Sequence, residues 1–143
     1  MNEAADDVAN EICSLQALLI EDDELDAEIF RTFGGMNGEC AIHFTHARTI
    51  DEATRILERR KFDLYFIDLC VGKGSPLSLV ASLEMSGARP VVVSNLTLRE
   101  ADQYRLNQGG VRFLPKGDCS PTRIGALARE ALRARQVMPG RAA

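Results

Sequence analysis

The chain has 143 residues, of which 45% are hydrophobic and 27% are charged. This composition is that of an ordinary globular domain, and it excludes a disordered chain, a collagen-like repeat and a small disulfide scaffold. The formal net charge of −4 at pH 7 argues against a nucleic-acid partner bound through bulk positive charge. The longest apolar runs, such as 17–20, are too short to span a membrane, and the acidic N-terminus lacks the pattern of a signal peptide. We therefore expect a cytoplasmic domain that binds neither nucleic acid nor membrane.

Short apolar segments alternate five times with segments of helical periodicity. The predicted strands are 15–20, 42–45, 64–67, 91–93 and 111–114. The helices that follow them begin near residues 24, 50, 76, 98 and 121. Residues that favour the position just before a helix mark four of these starts, namely Thr49, Ser75, Thr97 and Ser120. The alternation predicts an α/β fold built from five βα units.

Short connections between the five units predict a parallel sheet with helices on both faces. Right-handed crossovers and a single switch point make 2-1-3-4-5 the expected strand order of this doubly wound, five-stranded sheet. We expect this domain to cover residues 15–137. Residues 1–14 are expected to form an acidic arm or a short helix, and residues 138–143 a frayed tail.

The residues that follow the strands carry the chemistry, because ligands of a doubly wound sheet bind beyond the carboxyl ends of its strands. These residues are Glu21-Asp22-Asp23, Asp68, Ser94-Asn95 and Pro115-Lys116. Carboxylates held close together repel one another unless a cation lies among them, and Mg²⁺ suits one or two carboxylates with phosphate oxygens. Asp68 can then act as a nucleophile on phosphorus, while the metal and Lys116 neutralise charge on the transferring group. The pattern predicts a Mg²⁺-dependent, phosphoryl-accepting site.

Four segments carry a resemblance to a known family: Leu18–Asp23, Phe62–Asp68, Val92–Ser94 and Gly110–Lys116. In order and spacing they resemble the receiver domains of two-component response regulators, in particular stand-alone, chemotaxis-regulator-like ones. The resemblance implies a flavodoxin-like (βα)5 fold and a phosphoprotein of a two-component system or phosphorelay. It assigns the phosphoacceptor to Asp68, and it assigns the binding of Mg²⁺ to Asp22, Asp23, Asp68 and the backbone carbonyl of Cys70. It further implies that Lys116 pairs with the phosphoryl group, that Ser94 donates a hydrogen bond to it, and that Phe113 occupies the aromatic switch position.

The resemblance also implies partners and a role. A histidine kinase or a histidine phosphotransfer protein would supply the phosphoryl group. The protein would be regulatory and not an enzyme, with at most self-phosphorylation and autodephosphorylation. No output domain follows residue 137 in this sequence, so we expect the signal to pass to an unknown downstream protein. The expected contact surface is built from the fourth helix, the fifth strand and the last helix, around Tyr104 and Arg105.

Three positions depart from the family pattern. Gly72 stands where a proline is common, which predicts a looser loop in which Lys73 could reach the site. Asn95 replaces the small residue that usually follows the switch hydroxyl, and it could crowd phosphoryl entry or slow hydrolysis. Gly117 replaces the proline of a cis Lys-Pro bond. Because a non-proline cis bond costs about 2.5–4 kcal/mol, we predict a trans bond and a shifted loop.

Other interpretations remain open at this point. The departures favour, as an alternative, a degenerate receiver that binds proteins independently of phosphorylation. Asp22 and Asp23 are also suited to cap the first helix. A phosphatase of the haloacid dehalogenase type would need an Asp-x-Asp pattern after the first strand, and a flavodoxin-like FMN protein a loop rich in Ser, Thr and Gly. The acidic stretch after the first strand fits neither of these two.

Overall fold

The computed structural model describes residues 14–72, 74–95 and 111–137. Its strands are β1 (Ser14–Ile20), β2 (Ala41–Ala47), β3 (Leu64–Asp68), β4 (Val91–Ser94) and β5 (Arg112–Pro115). Its helices are α1 (Glu24–Gly35), α2 (Ile50–Leu57), α3 (Pro76–Met85) and α4 (Pro121–Val137). No helix in the described ranges combines the length and the hydrophobicity that a membrane span requires. Several predicted features lie outside the described residues: the arm up to residue 13, Lys73, the helix after Thr97 with Tyr104 and Arg105, and the tail 138–143.

The strands form a parallel sheet in the order β2-β1-β3-β4-β5, which confirms the predicted doubly wound topology. The switch point lies between β1 and β3, because the chain first places β2 on one side of β1 and then β3 on the other. In the register of the sheet, Ile20 pairs with Ile67 and Asp68 pairs with Val93. The residues that directly follow these strands therefore meet at one edge of the sheet, which is where ligands of this architecture bind.

The sheet is covered by helices on both faces. One face packs against α2 and α3 through a buried cluster that includes Leu18 and Ile67. The other face packs against α1 and α4 through a cluster that includes Phe66 and Ile124. All residues of β3 are buried, as expected for a central parallel strand whose side chains point alternately into two cores. This packing holds the strand ends, and the polar residues beyond them, in fixed positions.

Side-chain caps fix where three helices begin. Thr49 Oγ1 accepts from the backbone N–H three residues on at 3.0 Å, and Ser75 Oγ does the same before α3 at 3.2 Å. Ser120 Oγ accepts the corresponding N–H of α4 at 3.1 Å. Such a cap satisfies a backbone donor that the helix itself cannot pair. The structure therefore confirms the starts predicted at these three positions.

Candidate functional site

Three carboxylates surround the amino group of Lys116, the residue that directly follows β5. Lys116 Nζ donates to Glu21 Oε1 at 2.7 Å and to Asp68 Oδ2 at 3.0 Å. Its third hydrogen bond goes to Asp26 Oδ2 on α1, at 2.7 Å. An ammonium group has three donors, so these contacts use all of them. Glu21 and Asp68 are buried, whereas the side chain of Asp26 is 40% exposed at the rim of the site.

Glu21, like Asp26, belongs to this group although no role was predicted for it from the sequence. It is 3% exposed, and its Oε2 is buried and accepts no hydrogen bond from the described part of the chain. Burial raises the pKa of Glu21 to about 8, the hydrogen bond with Asp68 adds to this effect, and Lys116 acts against it. The signal in the sequence is its position, because Glu21 is the first polar residue after the apolar run of β1 and lies at the carboxyl end of that strand.

The pKa of Asp68, at the end of β3, is shifted in the opposite direction. Burial alone would raise the pKa of Asp68, but hydrogen bonds from Glu21, from the backbone N–H of Cys70 and from Lys116 hold it below its ordinary value. The Cys70 N–H contact, to Asp68 Oδ1, is 2.9 Å long. The pKa of Glu21 is thus raised and that of Asp68 lowered, and these opposite directions favour the proton on Glu21. Asp68 is thus the ionised carboxylate of the pair, the form that a nucleophile needs.

Lys116 remains charged in this surrounding. Burial alone would lower the pKa of Lys116, but its hydrogen bonds to the three carboxylates outweigh burial and raise that pKa. After Lys116 the backbone forms a 3₁₀ turn over Lys116–Asp118. The bond between Lys116 and Gly117 is trans, as predicted. The site therefore presents a fixed positive charge beside the ionised Asp68.

The three acids after β1 differ in how they are placed relative to Asp68. Oxygen atoms of Glu21, Asp22 and Asp68 all lie within 4.8 Å of one another. Asp23, in contrast, is not in this group of the described carboxylates. Its Oδ1 accepts from the backbone N–H of Asp26 at 2.9 Å and caps α1. The two adjacent acids that reach Asp68 are therefore Glu21 and Asp22, one position earlier than the predicted pair, and Asp23 has the capping role that was its alternative interpretation.

The remaining predicted residues lie on β4, on β5 and directly after β4. Ser94 ends β4, is fully buried and pairs in register with Pro115, just before Lys116. Asn95 follows it and is exposed. Phe113 lies on β5, and its partly buried ring packs against the core under α2 and α3. These residues thus follow or belong to β4 and β5, the two strands that lie beyond β3 on the side of the sheet away from β1.

The carboxylate cluster fits a divalent cation. Mg²⁺ prefers oxygen ligands and is held in proteins by one or two carboxylates together with waters and phosphate oxygens. Glu21, Asp22 and Asp68 each offer one such oxygen. Glu21 Oε2 is buried and accepts no hydrogen bond from the described part of the chain, which is costly when the carboxylate is ionised. A cation among these oxygens would remove that cost.

A cavity of about 170 Å³ opens beside the cluster. Apolar side chains of α1 and of the sheet form one part of its wall, namely Leu19, Ile29, Phe30, Phe33 and Val93. The charged side chains of the site line the other part. The cavity leaves open space next to Asp68.

The fold is that of the receiver domains of response regulators. The signal receiver domain of a putative LuxO repressor protein from Vibrio parahaemolyticus has a TM-score of 0.70 with 18% identity, over 88% of this chain and 95% of that chain. The receiver domain of the Francisella response regulator 1452 has a TM-score of 0.67 with 19% identity, over 84% and 98% of the two chains. These likenesses confirm, at the level of the fold, the resemblance found in the sequence motifs.

No family model matches the sequence. Among curated proteins, the chain is 29% identical over 122 residues to the alginate biosynthesis transcriptional regulatory protein AlgB of Pseudomonas aeruginosa. The match covers 84% of this chain but 26% of AlgB, so the chain spans about a quarter of the length of this relative.

Proposed function

We propose that this chain is a phosphoryl-accepting receiver of a two-component system or phosphorelay, with Asp68 as the acceptor. The observation that carries the proposal is the buried Asp68 with Lys116 Nζ 3.0 Å from its Oδ2 and two further carboxylates beside it. The receiver fold supports the same role. In this proposal the protein works in the cytoplasm as a regulator, and it turns over no substrate beyond its own phosphorylation and dephosphorylation.

The proposed reaction is the transfer of a phosphoryl group from a phosphohistidine of a histidine kinase or histidine phosphotransfer protein. A carboxylate oxygen of Asp68 attacks phosphorus, a P–O bond forms, and the P–N bond breaks with its electron pair left on the donor imidazole. The product is an aspartyl phosphate. Lys116 Nζ turns one of its three donors to a phosphoryl oxygen and so stabilises the negative charge of the transferring group.

In the proposed site, Mg²⁺ is held by Glu21, Asp22 and Asp68, with the backbone carbonyl of Cys70 as a further ligand. When bound, the ion neutralises negative charge on the phosphoryl group and on the carboxylates around it. Asp23 is left out of this set because its carboxylate is engaged with the N-terminus of α1.

We further propose that Ser94 and Phe113 report phosphorylation to the surface. Ser94 would donate a hydrogen bond to the phosphoryl group, and the partly buried ring of Phe113 would change position when it does. The unknown downstream protein would then bind the surface that contains β5 and α4, together with the predicted helix around Tyr104 and Arg105. This part of the proposal rests on the resemblance in the sequence motifs.

Intact-mass analysis after incubation with acetyl phosphate and Mg²⁺ tests the proposal. We expect one phosphoryl increment on the unaltered chain and none on Asp68→Asn. The matched control is Asp51→Asn, which removes one exposed aspartate from α2 and should still gain the increment. An increment on Asp68→Asn would contradict the proposal. No increment on any of the three, with a cognate kinase as well as with acetyl phosphate, would contradict it and favour the degenerate receiver that Asn95 and Gly117 suggest.

A further inference from the structure

His46 lies near the end of β2 and joins α1 to the backbone of the carboxylate cluster. Its Nε2 is 2.7 Å from the backbone carbonyl oxygen of Glu21. Its Nδ1 is 3.3 Å from a terminal nitrogen of Arg31, on α1. Both contacts are part-buried. The ring therefore bridges a helix and the first residue after β1.

The two neighbours of the ring require the same tautomer. A guanidinium group can only donate, so His46 Nδ1 must accept the hydrogen bond from Arg31. A carbonyl oxygen can only accept, so Nε2 must carry the proton and donate to Glu21. A ring with its proton on Nδ1 would lose both contacts at once. The arrangement is thus specific to one form of the histidine.

The end of β2 holds the backbone of Glu21 on both sides. The N–H of Glu21 donates to the carbonyl oxygen of Ala47 at 3.0 Å, and the carbonyl oxygen of Glu21 accepts from His46. Arg31, which supports the ring, is itself paired with Glu24 at 3.9 Å. Because the Glu21 side chain is buried, the position of its backbone determines where its carboxylate lies, and it also sets the direction in which Asp22 leaves the strand.

We propose that His46 is a positioning residue for the carboxylate cluster. By holding the backbone of Glu21, it directs oxygens of Glu21 and Asp22 to the place where they meet Asp68 and a divalent cation. The inference rests on the proposed Mg²⁺ site, but the hydrogen bond from His46 to the backbone of Glu21 does not depend on phosphoryl transfer.

The tautomer can be measured on the metal-free protein, by long-range ¹H–¹⁵N correlation of the histidine rings. We expect the proton of His46 on Nε2 in the unaltered chain. In Arg31→Met, which removes the donor to Nδ1, we expect a mixture of the two tautomers. A proton on Nδ1 in the unaltered chain, or no response to Arg31→Met, would overturn the proposed bridge.

Calorimetric titration then compares the Mg²⁺ affinity of two matched variants, His46→Gln and His46→Asn. The amide nitrogen of glutamine extends about as far as Nε2, whereas that of asparagine extends only as far as Nδ1, so His46→Gln keeps a donor to Glu21 and His46→Asn does not. We expect His46→Asn to weaken Mg²⁺ binding about fivefold, the equivalent of one hydrogen bond, and His46→Gln to stay within about twofold of the unaltered chain. Thermal unfolding in EDTA checks that both variants are folded.

Equal Mg²⁺ affinity of the unaltered chain and His46→Asn would overturn the positioning role, as would equal weakening in both variants. If His46→Asn fails to fold, Arg31→Met takes its place in the titration, and affinity unchanged in that variant would overturn the role. Failure of the unaltered chain to bind Mg²⁺ would instead overturn the proposed metal site, and the tautomer would then decide separately whether His46 holds Glu21.

Discussion

At the scale of single residues, the site holds more carboxylates than Lys116 can neutralise. The pKa of one of them, Glu21, is raised as a result of burial and of its carboxylate neighbour. Burial raises the pKa of Glu21 to about 8, so this carboxyl keeps its proton near neutral pH when no cation is present. Asp68 remains ionised because its hydrogen bonds lower its pKa against the effect of burial. In the proposed site, Mg²⁺ would need the charged form of Glu21, so its binding would displace that proton.

Substitution of single acids distinguishes the cluster seen in the structure from the pair predicted in the sequence. We expect Glu21→Gln to weaken Mg²⁺ binding by about tenfold or more, because a charged oxygen ligand is lost. Asp23→Asn should leave the affinity within about twofold, because asparagine caps a helix as well as aspartate does. Isothermal titration of the two variants measures both effects. The opposite ranking would return Asp23 to the metal site.

The pH dependence of stability tests the protonation of Glu21. A group whose pKa is higher in the folded chain than in the unfolded chain stabilises the fold most when the pH is below its pKa in the unfolded chain. This stabilisation is lost as the pH rises through the pKa of the group in the folded chain. In EDTA, the free energy of unfolding should therefore fall between pH 6 and pH 8, by at most about 1.4 kcal/mol per pH unit. Asp68 and Lys116 keep their charges in this window and should not contribute.

Urea unfolding followed by far-UV circular dichroism measures this slope, since the chain has no tryptophan. The control is Glu21→Gln, in which the amide replaces the protonated carboxyl and the slope should disappear. A profile that is flat in the unaltered chain, or equally steep in the variant, would show that Glu21 does not hold the proton.

The sequence could locate Asp68 and Lys116 because Asp68 ends one strand and Lys116 directly follows another, and the position of a strand end can be predicted from the pattern of apolar residues. The sequence could not show which of the adjacent acids 21–23, after β1, lie close to Asp68. That choice depends on where β1 stops and on which carboxylate turns back to the backbone of α1, and both are matters of backbone geometry. Asp26 and His46 reach the site from elements whose relative placement exists only in the folded chain.

At the scale of elements, α1 lies close to β2 at a glycine. A methyl group on Gly34 would lie 2.6 Å from ring carbons of Phe44, whereas one on Gly35 would meet nothing within 4 Å. The Phe44 ring packs against Phe30 with a centroid distance of 6.1 Å and against Phe66 with 6.3 Å, so it has little freedom to move away. The end of α1 thus depends on the absence of a side chain at one position.

We predict that Gly34→Ala lowers the free energy of unfolding by about 1–3 kcal/mol, the usual cost of overpacking a core. Gly35→Ala is the matched control and should be neutral or slightly stabilising, because alanine favours a helix more than glycine does. Chemical denaturation of both variants makes the comparison. Equal effects at the two positions would mean that α1 does not approach β2 as closely as the structure has it.

Some boundaries of helices and strands depend only on neighbouring residues in the sequence, and others depend on tertiary contacts. The starts marked by Thr49, Ser75 and Ser120 were predictable because a cap is a property of a few neighbouring residues. The second strand was predicted over 42–45, but β2 runs over Ala41–Ala47. Its whole length pairs with β1, so its ends are set by a neighbouring strand and not by its own sequence.

At the scale of the whole molecule, the site exists only because the doubly wound sheet brings distant segments to one edge. Lys116 is 95 residues from Glu21 and 48 residues from Asp68 in the chain, yet it donates a hydrogen bond to each. The strand order was predictable from the alternation of elements and from the handedness of their connections. From that strand order alone, Asp68 and Lys116 are predicted to lie at the same edge of the sheet.

The central claim, that Asp68 accepts the phosphoryl group, is tested most directly by borohydride reduction of the chain after treatment with acetyl phosphate and Mg²⁺. Borohydride converts an aspartyl phosphate to homoserine, and peptide mass spectrometry identifies the converted residue. We predict homoserine at residue 68 and at no other position, and none when acetyl phosphate is omitted. Homoserine at a different aspartate, or a phosphorylated chain that yields no homoserine, would contradict the account.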